Sequence, residues 1–273
     1  MKLFVLSLAA LASAQRPKRN KNKNNNYPKT TTPAYETTTY YATTEAQEGA
    51  YNDNGQFGTG GAYGDPHFMV AAPKTEPICF DYNPPADSEM TLIMDPESNL
   101  FISARVDSRR QGKTRFMTRL TIMSPLGATM SIDENGVHVE GLPGWAEALK
   151  EPTESGIIEY GDIKYTEQWS EDGARDKITL EINNGPHFLI KEKAFRETIS
   201  FGIQSSQGLS EKTRGVLGQF VHNNAYTIKQ HSETEATVNI DGFEVSAKWE
   251  EFHRNSECWT IEEDQLLDFF SQF

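Results

Sequence analysis

Asp65, Pro66 and His67 stand together, and their types and order offer chemistry at a single peptide bond. In an Asp-Pro bond the side-chain carboxylate lies beside the carbonyl of the peptide it can break. Attack by Asp65 on its own main-chain carbonyl closes a five-membered anhydride and expels Pro66 as a secondary amine. The tertiary X-Pro amide is less committed to one geometry than other peptides, and an intramolecular nucleophile gains effective concentration. His67 can donate the proton that the leaving nitrogen requires. The outcome is scission, or acyl transfer to another nucleophile, at Asp65. The competing reading is structural: Gly64 and Pro66 shape a turn that leads into a strand.

Nothing else in the sequence forms a catalytic constellation. Gly-x-Ser-x-Gly, His-Glu-x-x-His, a phosphate-cradling loop and EF-hand spacing are all missing, and the six histidines are scattered. No enzyme activity is expected beyond self-cleavage at Asp65-Pro66, and no cofactor. The two cysteines, Cys79 and Cys258, cannot supply a zinc site alone, so no metal is expected. In an oxidising compartment an even pair most simply makes one disulfide. It would tie the first strands to the last, a loop closure worth about 5 kcal/mol before any native strain.

The elements that must position the junction follow from hydrophobic periodicity. From Pro66 the pattern has period two: His67 to Val70, Ile78 to Tyr82, Thr91 to Met94 and Leu100 to Val106. In Thr114 to Ile122, Phe116, Leu120 and Ile122 fall on one face, Arg115 and Arg119 on the other. Ala128 to Ile132 and Val137 to Val139 flank an Asn-Gly hairpin signal at Asn135-Gly136. Ile163 to Thr166, Ile178 to Ile182, Phe188 to Ile190, Thr198 to Ile203, Ala236 to Ile240 and Phe243 to Trp249 continue the series. Many short alternating strands with turn residues between them predict an all-β domain over residues 64–273, an antiparallel β-sandwich or open barrel. About 210 residues suffice for one sizeable core. Glu262 to Phe273 reads as a short helix presenting Leu266, Leu267, Phe269 and Phe270 to the sheet.

Ahead of that domain the composition changes. Lys2, the apolar run Leu3 to Leu11 and Ala12-Ser13-Ala14 have the form of a secretory signal over residues 1–14. The run is too short to span a bilayer, so an exported, soluble protein is expected. Residues 15–63 hold almost no aliphatic side chains and cannot offset their ordering entropy, so a disordered tether is expected. Its Thr runs near Pro suggest O-glycosylation. Arg16, Lys18, Arg19, Lys21 and Lys23 form a basic cluster, readable as a contact for sulfated or carboxylated polysaccharide or as a solvated tail. The chain as a whole is acidic, with a formal charge of −13. Neither nucleic acid nor an anionic membrane is expected as a partner.

Gly64-Asp65-Pro66-His67-Phe68, followed by Ile78-Cys79-Phe80-Asp81-Tyr82-Asn83, resembles the opening of a von Willebrand factor type D domain. It is more similar to the C-terminal domain of inter-alpha-trypsin inhibitor heavy chains. Thr213-Arg214-Gly215-Val216-Leu217-Gly218-Gln219-Phe220 has the heavy-chain form of a second motif, and Glu257-Cys258-Trp259-Thr260-Ile261 matches a third. The resemblance implies a β-rich extracellular domain without its own enzyme activity. It also implies that Asp65 becomes a new C-terminus esterified to a glycosaminoglycan (chondroitin sulfate, then hyaluronan), with Pro66 as the amino terminus of a released domain. Two departures stand out. Heavy chains carry large domains before the motif, where this chain has the low-complexity tether. The type D calcium loop is not recognisable around Gln219 to Asn224.

Two functions fit these residues. One is a secreted matrix component whose junction is cleaved or joined to a hyaluronan-type polysaccharide, a matrix protein or another nucleophile. The other is a non-enzymatic structural or protein-binding β module in which Asp-Pro is only a turn.

Overall fold

The computed structural model describes residues 60–64, 66–72, 75–109, 114–141, 157–169, 175–193, 198–222, 225–253 and 256–271. In chain order the strands are β1 (Gly60–Tyr63), β2 (His67–Val70), β3 (Ile78–Asp81), β4 (Ser88–Asp95), β5 (Leu100–Arg109) and β6 (Thr114–Met123). Next come β7 (Thr129–Asp133), β8 (Gly136–Glu140), β9 (Ile157–Tyr160), β10 (Ile163–Trp169), β11 (Arg175–Ile182) and β12 (His187–Lys193). The last are β13 (Thr198–Ser205), β14 (Tyr226–Gln230), β15 (Glu235–Ile240), β16 (Phe243–Phe252) and β17 (Ser256–Ile261).

Twelve strands form one sheet in the order β14-β15-β16-β17-β3-β2-β1-β13-β12-β11-β10-β9, and five form a second, β4-β5-β6-β7-β8. Among the described residues pairing is antiparallel except between β17 and β3, which run parallel. The inner faces meet in one core, with β13 against β6. Phe68, Phe80, Phe188 and Phe201 from the larger sheet and Leu92, Ile102, Leu120 and Ile132 from the smaller one are fully buried there. The expected all-β sandwich is the observed fold, and the period-two alternation is its cause: every second side chain points inward.

Three details correct the sequence reading. Gly60–Tyr63 is not part of a tether, because β1 lies inside the larger sheet, paired with β2 on one side and β13 on the other. In β6 the buried residue is Met117 and not Phe116. A bulge opposite Arg105 and Val106 leaves Thr118 unpaired in the ladder and shifts the alternation by one. At the C-terminal end a 3-10 turn, Glu263–Gln265, leads into one helical turn, α1 (Leu267–Phe270). Leu266 and Phe270, four apart and on one face, are buried, whereas Leu267 points away and is 46% exposed.

The second sequence motif also has a structural cause. Thr213 to Phe220 runs against the backbone of β4, with the Val216 amide donating to Thr91 O at 2.9 Å and the Leu217 amide to Leu92 O at 3.0 Å. Gly215 has φ +112°, and a Cβ there would stand 2.6 Å from Leu92 O. Only glycine allows that approach.

Candidate functional site

The site is assembled where three loop ends of the larger sheet converge. β1 and β2 form a hairpin in which Tyr63 pairs with His67, so Gly64, Asp65 and Pro66 are the connection. Gly64 has φ +65°, a left-handed value that suits glycine in a tight turn. Pro66 is buried, and its carbonyl accepts a hydrogen bond from the Tyr82 amide at 3.3 Å. In the β2–β3 pairing His67 lies directly opposite Asp81, and Met69 opposite Cys79. Phe252 and Ser256 close the β16–β17 hairpin, which carries His253 at its turn with φ +41°.

Strand alternation puts Phe68, Val70, Ile78 and Phe80 on the core face. His67, Met69, Cys79 and Asp81 therefore share the opposite face. There Cys79 and Cys258 are joined in a disulfide, both fully buried, and pack with Met69 and Phe252 in a small second cluster. The disulfide ties β3 to β17 and so holds the hairpin bearing His253 beside the strand bearing Asp81. The β2–β3 connection is anchored from below. Tyr226 donates its hydroxyl to Glu76 O at 2.6 Å and accepts from the Ala72 amide at 3.3 Å. The Trp259 indole donates to the Glu76 carboxylate at 2.6 Å.

Within this frame His67 Nδ1 is 2.7 Å from Asp81 Oδ1. His253 Nε2 lies 3.3 Å from Oδ1 and 3.4 Å from Oδ2 of the same carboxylate. The two imidazoles stack with ring centroids 3.5 Å apart and an interplanar angle of 27°. Phe252 meets His67 edge-on at 6.0 Å, and Tyr63 does so at 5.5 Å. Burial works to raise the Asp81 carboxyl, but the hydrogen bond and charge of His67, joined by His253, outweigh it and hold it below the usual carboxylate range. An ionised carboxylate only accepts, so His67 Nδ1 carries the proton that it donates to Asp81. The Cδ2–Nε2 edge of the ring then faces the turn: a Cβ at Gly64 would stand 3.4 Å from Cδ2 and 3.8 Å from Nε2.

His67, Asp81 and His253 each offer a ligand atom, and these atoms lie within 4.8 Å of one another. The arrangement is nevertheless that of a hydrogen-bonded stack. A metal bound to both imidazoles must lie near both ring planes, which two rings stacked face to face do not permit without one of them turning.

The structure thus joins His67 to two residues that the sequence reading left out of the site, Asp81 and His253. Asp81 was visible only as part of the cysteine motif. Its link to His67 emerges once Met69 is aligned with Cys79 across an antiparallel pair. His253 could have been reached through the expected disulfide, since Cys258 closes on the hairpin that carries it. Cys79 and Cys258 are paired as expected. Asp65 lies outside the described residues, as do residues 1–59 with the signal segment and Arg16, Lys18, Arg19, Lys21 and Lys23. Among the described residues no helix is long and apolar enough to cross a membrane.

No protein-family model matches the chain. Comparison with individual proteins finds inter-alpha-trypsin inhibitor heavy chains. The cattle H3 chain is 25% identical over 181 residues, covering 58% of this chain and 19% of the relative. The human H6 chain is 25% identical over 175 residues, covering 58% and 13%. The pig H1 chain is 23% identical over 195 residues, covering 64% and 21%. The chain is therefore homologous to these heavy chains, and it spans about a fifth or less of their length.

Proposed function

We propose that this is a secreted, matrix-associated protein whose Asp65-Pro66 bond is opened by its own side chain. The acyl group of Asp65 passes to a hydroxyl of a glycosaminoglycan such as hyaluronan or chondroitin sulfate, or to water. The observation that carries this reading is the hydrogen bond from His67 Nδ1 to Asp81, which leaves Nε2 on the edge facing the Gly64 turn. The heavy-chain relationship supports the polysaccharide as acceptor.

The Asp65 carboxylate adds to its own main-chain carbonyl carbon. The C–N bond to Pro66 breaks as protonated His67 gives the Nε2 proton to the leaving nitrogen, and a cyclic anhydride remains on Asp65. An incoming hydroxyl then opens the anhydride, its oxygen bonding to the carbonyl carbon and its proton passing to Nε2. Asp81 orients the ring throughout by accepting the hydrogen bond from Nδ1, as a carboxylate does for a catalytic imidazole. One carboxylate of Asp65 is regenerated, and the other carbonyl ends as ester or acid.

The turn reading also has an observation behind it. Gly64 at φ +65° and a buried Pro66 do shape the β1–β2 connection. Mass spectrometry of the secreted protein separates the two. The proposal expects a chain beginning at Pro66 and an Asp65 terminus bearing sugar or a free acid, both lost in Asp65→Asn. An uncut chain of full mass in the wild type would overturn it.

A further inference from the structure

The leader of a chain cut at Asp65 is tied into the sheet by β1. That strand sits between β2 and β13 in the body of the twelve-stranded sheet, with four residue pairs on one side and three on the other. Gly60, Gly61 and Ala62 are buried. Ala62 faces the core between Phe68 and Phe201. Gly60 is seated so closely that a Cβ would stand 3.1 Å from the Val70 side chain. On the other side of the junction, the Pro66 carbonyl accepts a hydrogen bond from the Tyr82 amide, just past β3. No disulfide spans the junction, because Cys79 and Cys258 both follow it.

We propose that scission at Asp65-Pro66 yields a two-piece protein in which the leader stays bound, without a covalent link, as an inserted strand. This rests on the reading of the junction given above. The physical reason is the state left behind if β1 departs. β2 and β13 would then present unpaired amide and carbonyl groups inside the sheet, and each buried group that loses its partner is costly. The core around Phe68, Val70, Phe201 and Ile203 would open to water as well. Whatever hydroxyl compound is esterified to Asp65 is then held by the β domain through a four-residue strand. The groove between β2 and β13 is thus a docking site with a stated occupant, Gly60–Tyr63 of this chain.

The test separates retention from self-processing. A specific protease site placed in the turn of the full-length secreted protein creates the nick whatever the junction does unaided. The nicked pieces should co-elute on a native sizing column and separate in denaturant without reductant. Ala62→Asp in the same nicked protein should raise the free leader about tenfold or more, because a charge then faces the core. A wild-type strand that leaves the native column as free leader would overturn the proposal. So would an Ala62→Asp leader retained as tightly as the wild type. An uncut wild-type chain bears on the junction chemistry alone, since the engineered nick still measures the strand.

Discussion

On the outer face of the smaller sheet, charge is strung along a row. Glu89, Arg105, Arg119 and Asp133 lie opposite one another across β4 to β7. Arg105 reaches Asp87 at 3.3 Å and Asp107 at 3.1 Å, and Arg119 reaches Glu89 at 3.4 Å. At the junction end of the larger sheet the charge is instead gathered on one carboxylate, Asp81, against two stacked imidazoles. The row has more charges and more ion pairs. It is partly exposed, and such pairs contribute about 0–1 kcal/mol each. What sets the junction apart is placement: an oriented ring edge faces the turn at Gly64, beside the Asp65-Pro66 bond of the proposed function. Under the proposed function, ion-pair count is therefore a poor guide to where the chemistry lies.

The sharpest way to break that contrast is to remove the ring. His67→Ala should slow appearance of the Pro66 amino terminus by roughly a hundred- to ten-thousand-fold, the range for a general acid–base group. Asp81→Asn keeps the shape but not the charge, and should cost on the order of a hundredfold through loss of orientation. Arg119→Gln in the row should leave the rate unchanged. Timed amino-terminal sequencing of the purified full-length chains measures all three. A rate in Asp81→Asn equal to wild type would reduce the imidazole–carboxylate pair to packing.

A smaller effect is expected from the covalent tie. Cys79→Ser with Cys258→Ser should lower stability by about 2–5 kcal/mol, read as a shift of the urea midpoint. The junction should suffer beyond that global loss, because the β16–β17 hairpin is the part released. Protection of the His253 region from hydrogen exchange should therefore fall more than protection of the smaller sheet. Equal loss in both sheets would show that the disulfide braces the whole domain and not this corner.

How much of this could be read from the sequence depends on what holds each element in place. Strands that bury every second side chain, such as β7 and β15, were legible because their own residues declare the face. β1 was not: Gly60-Gly61-Ala62-Tyr63 has no branched side chain and reads as linker. It is a strand because β2 and β13 need a partner between them, information that lies in other segments. The bulge in β6 misled for a similar reason, since one extra residue moves Met117 inward without altering composition. At the site, Asp65, Pro66 and His67 announce themselves by adjacency. Asp81 and His253 are joined to His67 only by cross-strand register and by the disulfide, which no local pattern records.

The least effect, and the finest test of the contrast, concerns acid. Asp81 and Asp95 are both held below the ordinary aspartate value of 3.8, for different reasons. For each, burial pushes upward. Asp81 is brought down by hydrogen bonding and charge from His67 and His253, whereas Asp95 is brought down by the hydroxyls of Ser210 and Ser98 and the amides of Ser210 and Glu97. A depressed folded value means that the unfolded chain takes up the proton first. The stabilisation is thus complete above 3.8 and is lost as the pH falls below it toward the folded value. Above that window neither residue makes stability depend on pH. Only the Asp81 contribution has a charge–charge part, and about 1 M salt shortens the screening length to about 3 Å. Urea midpoints followed down through this window should therefore show a weakened Asp81 component in high salt and an unchanged Asp95 component, with Asp81→Asn and Asp95→Asn identifying each. If salt weakened both alike, the imidazoles would be acting on Asp81 as the serine hydroxyls act on Asp95, by hydrogen bonding alone.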